Sequence, residues 1–171
     1  MKKIVFAIAI VATSFAVNAQ TGKNQLGIGP EIALSTGEGG GTAIGGTAKY
    51  MHGIGSAGQI TLTAGYLFDS ETEGDIKTTE SMIPVLAGYR HYFSGLFIEP
   101  QAGYISTGYK VSDGDDSFSA SSGSFGYAIG GGYAMAQGLD LGVSYRNIAE
   151  SGAKGMIVFR AAWNFSLGGS K

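Results

Sequence analysis

Alternation of apolar with small or polar side chains, repeated in eight segments, is the feature that most limits how this chain can fold. In the last segment the two alternate sets are Ile157, Phe159, Ala161, Trp163, Phe165, Leu167 and Met156, Val158, Arg160, Ala162, Asn164, Ser166. A period of two places successive side chains on opposite faces of a strand. We therefore predict an all-β protein with strands at 25–35, 43–52, 59–68, 82–93, 96–106, 124–135, 139–147 and 155–169.

The connections between these segments are alternately long and short. The long ones are "TGEGGGT", "DSETEGDIKTTE", "TGYKVSDGDDSFSASSG" and "IAESGAKG", and the short ones are "GIGSAG", "SG" and "AQG". This rhythm is typical of outer-membrane barrels, which have short periplasmic turns and longer external loops. An even number of strands also brings both ends to one side, so that the sheet can close. The prediction is an eight-stranded antiparallel up-and-down transmembrane β-barrel.

The distribution of charge indicates which solvent each face meets. Charged residues make up only 14% of the chain, against about 25% in ordinary soluble domains. Ten of the acids lie in the long connections: Glu38, Asp69, Glu71, Glu73, Asp75, Glu80, Asp113, Asp115, Asp116 and Glu150. We expect the apolar face to meet lipid, and in the last strand this face carries Ile157, Phe159, Trp163 and Phe165. The alternative is a soluble secreted barrel with its apolar face inward.

The N-terminus has the form of a secretory signal peptide. Lys2 and Lys3 precede an apolar run that is too short to span a membrane and that ends in small residues. We predict a signal peptide at 1–19 and a barrel domain at 20–171, in the outer membrane of a Gram-negative cell; the alternative is a buried N-terminal helix. Without the two N-terminal lysines the chain has 9 basic and 13 acidic residues, which argues against nucleic acid as a partner.

The inward face of the predicted strands carries few charges. By this register they are Glu31, Lys49, Arg90, Glu99, Arg146 and Arg160, with Asp140 set aside at a strand end. If Ser94 and Gly95 form a two-residue turn, Arg90 faces Glu99. Glu31 faces either Lys49 or, across the closing seam, Arg160. Since eight strands leave little room inside, we favour an ion-paired plug over a conduit; the excess of basic residues leaves a minor case for anion binding.

A family resemblance follows from the same residues. The segment "IPVLAGYRHYF", the two-residue turn, the segment "LFIEPQAGY" and the aromatic-rich last strand resemble the small outer-membrane β-barrel proteins of the OmpA/OmpX and opacity type. Such barrels commonly end on an aromatic residue that the assembly machinery recognises. Here Phe165 is followed by "SLGGSK", so the resemblance implies either an internal signal within 163–165 or a tolerated tail.

Motifs for catalysis or metal binding are weak. His52 and His91 fall near strand ends beside aromatic residues, with no evident nucleophile or carboxylate partner, so we interpret them as interfacial packing groups. The acidic segment "SDGDDS" lacks the glycine and terminal glutamate of a calcium loop. There are no cysteines. We therefore expect no enzyme activity, no cofactor and no metal site.

The sequence is most consistent with a structural or surface-interaction protein that exposes long acidic extracellular loops. A narrow porin-like channel for ions or small solutes is the alternative, and a barrel enzyme acting on lipid or peptide is less favoured. The expected partners are outer-membrane lipid and the barrel-assembly machinery, with the chain acting as a monomer. No loop ligand is indicated by the sequence.

Overall fold

The chain forms a closed antiparallel barrel in which each strand pairs with the next and β8 pairs with β1. The computed structural model describes residues 24–37, 40–74, 76–113, 116–150, 152 and 155–167. The strands are β1 (Asn24–Ser35), β2 (Thr42–Ile54), β3 (Gly58–Glu73), β4 (Ile76–Phe93), β5 (Leu96–Asp113), β6 (Asp116–Ala134), β7 (Leu139–Ile148) and β8 (Met156–Ser166). The predicted fold class is confirmed, whereas the predicted signal peptide at 1–19 lies outside the described residues. Within those residues, no helix is long and apolar enough to cross a membrane.

The two faces of each strand differ sharply in exposure. Phe159 is 48% exposed on the outside of β8, whereas its neighbour Arg160 is buried on the inside. The outer surface presents aliphatic and aromatic side chains around the whole barrel. Phe165 departs from this arrangement: it was expected to face lipid but is only 8% exposed. Asn164 and Phe165 are buried in succession at the end of β8, so the strict alternation of exposure ends there.

Four strands are much longer than the sequence pattern predicted. The long connections expected at 69–81 and 107–123 are instead continuations of β3 to β6, paired to Glu73↔Ile76 and Asp113↔Asp116. We call residues 69–73, 76–80, 107–113 and 116–122 the projecting sheet. We call the belt of exposed aliphatic and aromatic side chains on the outer surface the apolar band. At about 3.3 Å per residue the projecting sheet extends on the order of 20 Å beyond this band. The expectation of long acidic loops is therefore corrected for these segments, which are β-hairpins.

The opposite end of the barrel has short turns, at 55–57, 94–95 and 135–138. Ser94 and Gly95 both have positive φ, 53° and 94°, as a two-residue hairpin turn requires. The resulting register pairs His91 with Ile98 and Gly88 with Gln101, as predicted. We refer to this end as the short-turn end and to the other as the long-loop end.

Inward glycines allow the sheet to curve tightly. A methyl group at Gly45 would collide with the carbonyl oxygen of Tyr66, and one at Gly103 with that of Val85. Glycine in a strand commonly marks such a close approach of backbones. The small residues of the alternate face therefore belong to a narrow, filled interior.

Candidate functional site: the charged lumen

The lumen is layered along the barrel axis. Toward the long-loop end, two buried apolar clusters are formed by Ala33, Leu67, Met156, Val158 and by Leu86, Ile105, Ala128. Met82 packs against both clusters. Toward the short-turn end, the next inward positions of the same strands are charged. Glu31 is the inward neighbour of Ala33 on β1, and Arg160 is the inward neighbour of Val158 on β8. The apolar layer thus separates the long-loop mouth from a charged layer.

Glu99 is the centre of the charged layer. Its two carboxylate oxygens accept hydrogen bonds from Lys49 Nζ at 2.9 and 2.8 Å, and Oε2 accepts one from Arg90 Nε at 2.9 Å. Thr61 Oγ1 and Gln101 Nε2 donate to Oε1 at 2.8 and 2.9 Å. A buried carboxylate with this many donors is well compensated for its loss of hydration.

Asp140 is a second anionic centre. It forms an ion pair with Arg90 and accepts a hydrogen bond from Asn164 Nδ2 at 3.1 Å, and Arg160 Nη1 lies 3.6 Å from its other oxygen. The Arg90 guanidinium also lies over the ring of Phe97, with its central carbon 3.7 Å from the ring centroid. Cation–π stacking of this kind is strongest where water is excluded. Arg90 therefore joins both carboxylates and is held on one side by an aromatic ring.

Glu31 forms the third anionic centre. It accepts hydrogen bonds from Arg146 Nη2 at 3.1 Å and from Thr47 Oγ1 at 3.2 Å. Arg160 Nε lies 3.8 Å from Glu31 and donates to Thr47 Oγ1 at 3.0 Å. Because Arg160 also approaches Asp140, it links the Glu31 centre to the rest of the network.

The structure supports some of the pairings expected from sequence and corrects others. Arg90 and Glu99 are paired as the short turn implied, with Arg90 Nη2 2.7 Å from Glu99. The Glu31–Lys49 pairing is wrong, because β1 and β2 align Glu31 with Gly45. Glu31 instead lies opposite Arg160 across the closing seam, which was the other alternative. Lys49 binds Glu99, three strands further around the barrel.

Asp140 and Phe97 are site residues that sequence reasoning missed. Asp140 lies at a strand end by the sequence pattern, yet it is 1% exposed. Asp140 and Arg146 are six residues apart on β7, and an even separation puts both side chains on the same, inward face of the strand. This spacing could have identified Asp140 from the sequence. With Asp140 included, the charged layer holds four cations and three carboxylates, so the basic excess is smaller than the sequence count of four against two.

The charged layer leaves very little free space. The cavity bordered by its charged residues has a volume of about 30 Å³, enough for one or two water molecules. Arg146 Nε and Nη1 have no hydrogen-bond partner among the described residues, and Arg146 borders this cavity. Among the described residues, the charged side chains therefore occupy most of the space in this layer.

The two histidines lie at the short-turn end, outside the charged layer. His52 Nδ1 is 2.6 Å from Asn24 Oδ1, and His91 Nδ1 is 3.2 Å from the Tyr89 hydroxyl. The His91 ring meets Phe93 edge-on, with centroids 4.7 Å apart. Among the described residues, no group of three or more His, Cys, Asp or Glu side chains could hold a metal ion.

A closed barrel with lipid-exposed apolar side chains and a filled polar lumen defines an outer-membrane β-barrel protein. The chain belongs to the family described as outer membrane protein beta-barrel domain, which its residues 6–168 match. Its location is accordingly the outer membrane of a Gram-negative cell. No curated protein sequence is significantly similar to this chain.

Several solved structures have the same fold. Ail, the attachment invasion locus protein of Yersinia pestis, in complex with the heparin analogue sucrose octasulfate, gives a TM-score of 0.68 at 17% identity, covering 83% of this chain and 97% of that one. The N-terminal β-barrel domain of Pseudomonas aeruginosa OprF gives 0.61 at 14% identity, covering 85% and 100%. Neisserial surface protein A gives 0.57 at 14% identity, covering 85% and 97%. At these identities the similarity concerns the fold.

Proposed function

We propose that this protein is a surface-interaction barrel without enzyme activity, in which the projecting sheet contacts partners outside the cell and the lumen is closed. The observation that carries this proposal is the extension of four paired strands beyond the apolar band. A protein whose role was only to fill the membrane would not need ordered structure there. Exposed aromatic side chains on this sheet, Tyr109 and Phe118, support a contact role.

The projecting sheet also has open edges. Residues 116–122 of β6 pair with β5, whereas the pairing of β6 with β7 extends only to Gly126↔Ile148. On the other side, β2 pairs with β3 only as far as Ile44↔Phe68. An exposed strand edge offers unpaired N–H and C=O groups to an extended segment of another protein. The β6 edge is rich in serine and has no charge between Ser117 and Ser122, so it carries no electrostatic barrier to such pairing.

Trimming the projecting sheet separates an interaction role from a structural one. Asp69 opposes Glu80, and Thr107 opposes Ser122. Residues 70–79 and 108–121 can therefore each be replaced by Asn-Gly, which suits a two-residue turn. We consider a bacterial strain that lacks the native gene and expresses the trimmed chain instead. We expect this strain to lose attachment to cultured epithelial cells but to remain as resistant to detergent as a strain that expresses the intact chain. Attachment is the activity measured because one protein of the same fold, Ail of Yersinia pestis, is named an attachment invasion locus protein.

The control for this experiment is the intact chain at a matched surface level. Equal attachment by the intact and trimmed chains would contradict the interaction proposal and would leave the structural role. Heat-modifiable gel migration checks that the trimmed barrel folds.

The porin-like alternative is opposed by the size of the lumen cavity. We expect the intact barrel to show no stable open steps in a planar lipid bilayer, because a space of about 30 Å³ holds only one or two waters. Reproducible steps that disappear when Arg90 or Arg160 is replaced would instead support a pore through the charged layer.

A further inference from the structure

The long-loop mouth of the barrel contains a second, much larger cavity. Its volume is about 610 Å³, within the range of about 300–1,000 Å³ that is usual for small-molecule sites. Its base is apolar and includes Ala33, Met82, Ile148 and Met156. All four belong to or pack against the apolar layer between the mouth and the charged layer. The cavity is therefore a cup with a closed, apolar base.

The rim of this cup carries two acids that have no basic partner within the part of the chain that the structure describes. Asp69 and Glu80 line the cavity and lie directly opposite each other on β3 and β4. Like charges in that position destabilise a sheet, and neither residue forms an ion pair with any other residue that the structure describes. Glu71, which opposes Thr78, lies one step further up the same face. A positively charged group bound between the two carboxylates would relieve this repulsion.

The lysines of the projecting sheet cannot supply that charge. Lys77 opposes Thr72, and Lys110 opposes Thr79, so both occupy strand positions of the opposite parity to Asp69 and Glu80. Alternation along the strands directs their side chains away from the cavity. Among the described side chains of the projecting sheet, the acids thus lie on the inner face and the lysines on the outer one.

Aromatic side chains lie on the same inner face as the acids. Tyr109 lines the cavity and is paired with Glu80 on one side and Ala120 on the other. Phe118 lies one step further up, opposite Val111, and is 66% exposed. An exposed aromatic ring beside carboxylates attracts an organic cation through both its quadrupole and its apolar surface.

We propose that the mouth cavity binds a small organic cation with an apolar body. The ammonium group lies between Asp69 and Glu80 against Tyr109, and the apolar body rests on Met82 and Met156 at the base of the cup. This site lies at the mouth of the barrel, on the inner face of the base of the projecting sheet, and its binding test does not rely on the proposed attachment function. A polyanion is disfavoured at this position by the two carboxylates.

The test uses the full chain in nanodiscs of zwitterionic phosphatidylcholine, with calorimetric titration of benzyltriethylammonium. We expect saturable binding that weakens at high salt, because charge attraction is screened. Tetramethylammonium, which lacks the apolar body, is expected to bind at least tenfold more weakly. Benzoate and sucrose octasulfate are expected not to bind. Empty nanodiscs give the background from lipid partitioning.

Two variants address the charge and the volume separately. The double variant Asp69→Asn with Glu80→Gln is expected to weaken binding about tenfold or more, whereas Glu150→Gln, which removes one acid from the same end outside the cavity, is expected to leave it unchanged. Ala120→Trp fills the mouth and keeps both carboxylates, and is expected to abolish binding. Heat-modifiable migration verifies folding of each variant. The absence of saturable binding to the intact barrel, or equal binding by the double variant, would overturn the proposal.

Discussion

Replacement of Glu99 by glutamine is expected to lower the free energy of unfolding by about 3–5 kcal/mol, the usual effect of removing one partner from a buried ion pair. Glu99 is 4% exposed and is the carboxylate that binds Lys49. A glutamine keeps the shape but turns an NH₂ donor toward two cations. Arg90 retains Asp140, whereas Lys49 is left buried without a counter-charge. Most of the cost therefore falls on Lys49.

This reasoning predicts that a second substitution partly rescues the first. In the variant Lys49→Met with Glu99→Gln, no unpaired ammonium group remains, so we expect a smaller loss than in Glu99→Gln alone. Unfolding in denaturant can be followed through Trp163, the only tryptophan, together with gel migration of unboiled samples. Glu150→Gln, at an exposed site, is the matched control and is expected to have no measurable effect. A double variant less stable than the single one would contradict this account of Lys49.

The pairing of Arg90 with Glu99 was predictable from sequence, whereas that of Lys49 was not. The turn at Ser94 and Gly95 is so short that it fixes the register of β4 and β5 at once. Lys49 lies on β2 and Glu99 on β5, which are not neighbours in the sheet. Their contact arises only because closure of the barrel brings distant strands across a narrow lumen. No local pattern encodes such a contact.

The projecting sheet was missed for a different physical reason. Hydrophobic alternation marks a strand only where its two faces meet different solvents. Beyond the lipid both faces of β5 and β6 meet water, so the segment Ser117 to Ser122 is mostly serine. Its alternating Phe118 and Ala120 lie on the face opposite to the apolar residues of the membrane-spanning part of β6. Its strand structure depends on continuing the ladder already set in the membrane. The boundary predicted near residue 124 therefore marks the end of the apolar band and not the end of β6.

The second large effect is expected when a charge is placed on the outer, apolar face of the barrel, because this face meets lipid. Ile129 lies on the outer face of β6 between Tyr127 and Tyr133, pairs with Pro100 and Tyr145, and is 47% exposed. We expect Ile129→Arg to lower the free energy of unfolding in lipid vesicles by about 2–4 kcal/mol, as arginine does near the bilayer midplane. In a soluble barrel, an arginine at so exposed a position would cost little.

The matched control lies on the same strand and the same face, but above the apolar band. Ser117 is exposed and pairs with Ser112 in the projecting sheet. Ser117→Arg adds the same charge where its side chain stays in water, so we expect no measurable change in stability. Comparing the two variants in one vesicle preparation isolates the lipid contribution, because strand, face and introduced residue are shared. Equal stability of the two variants would contradict the inference that hydrocarbon surrounds Ile129, whereas a loss confined to Ile129→Arg follows directly from it.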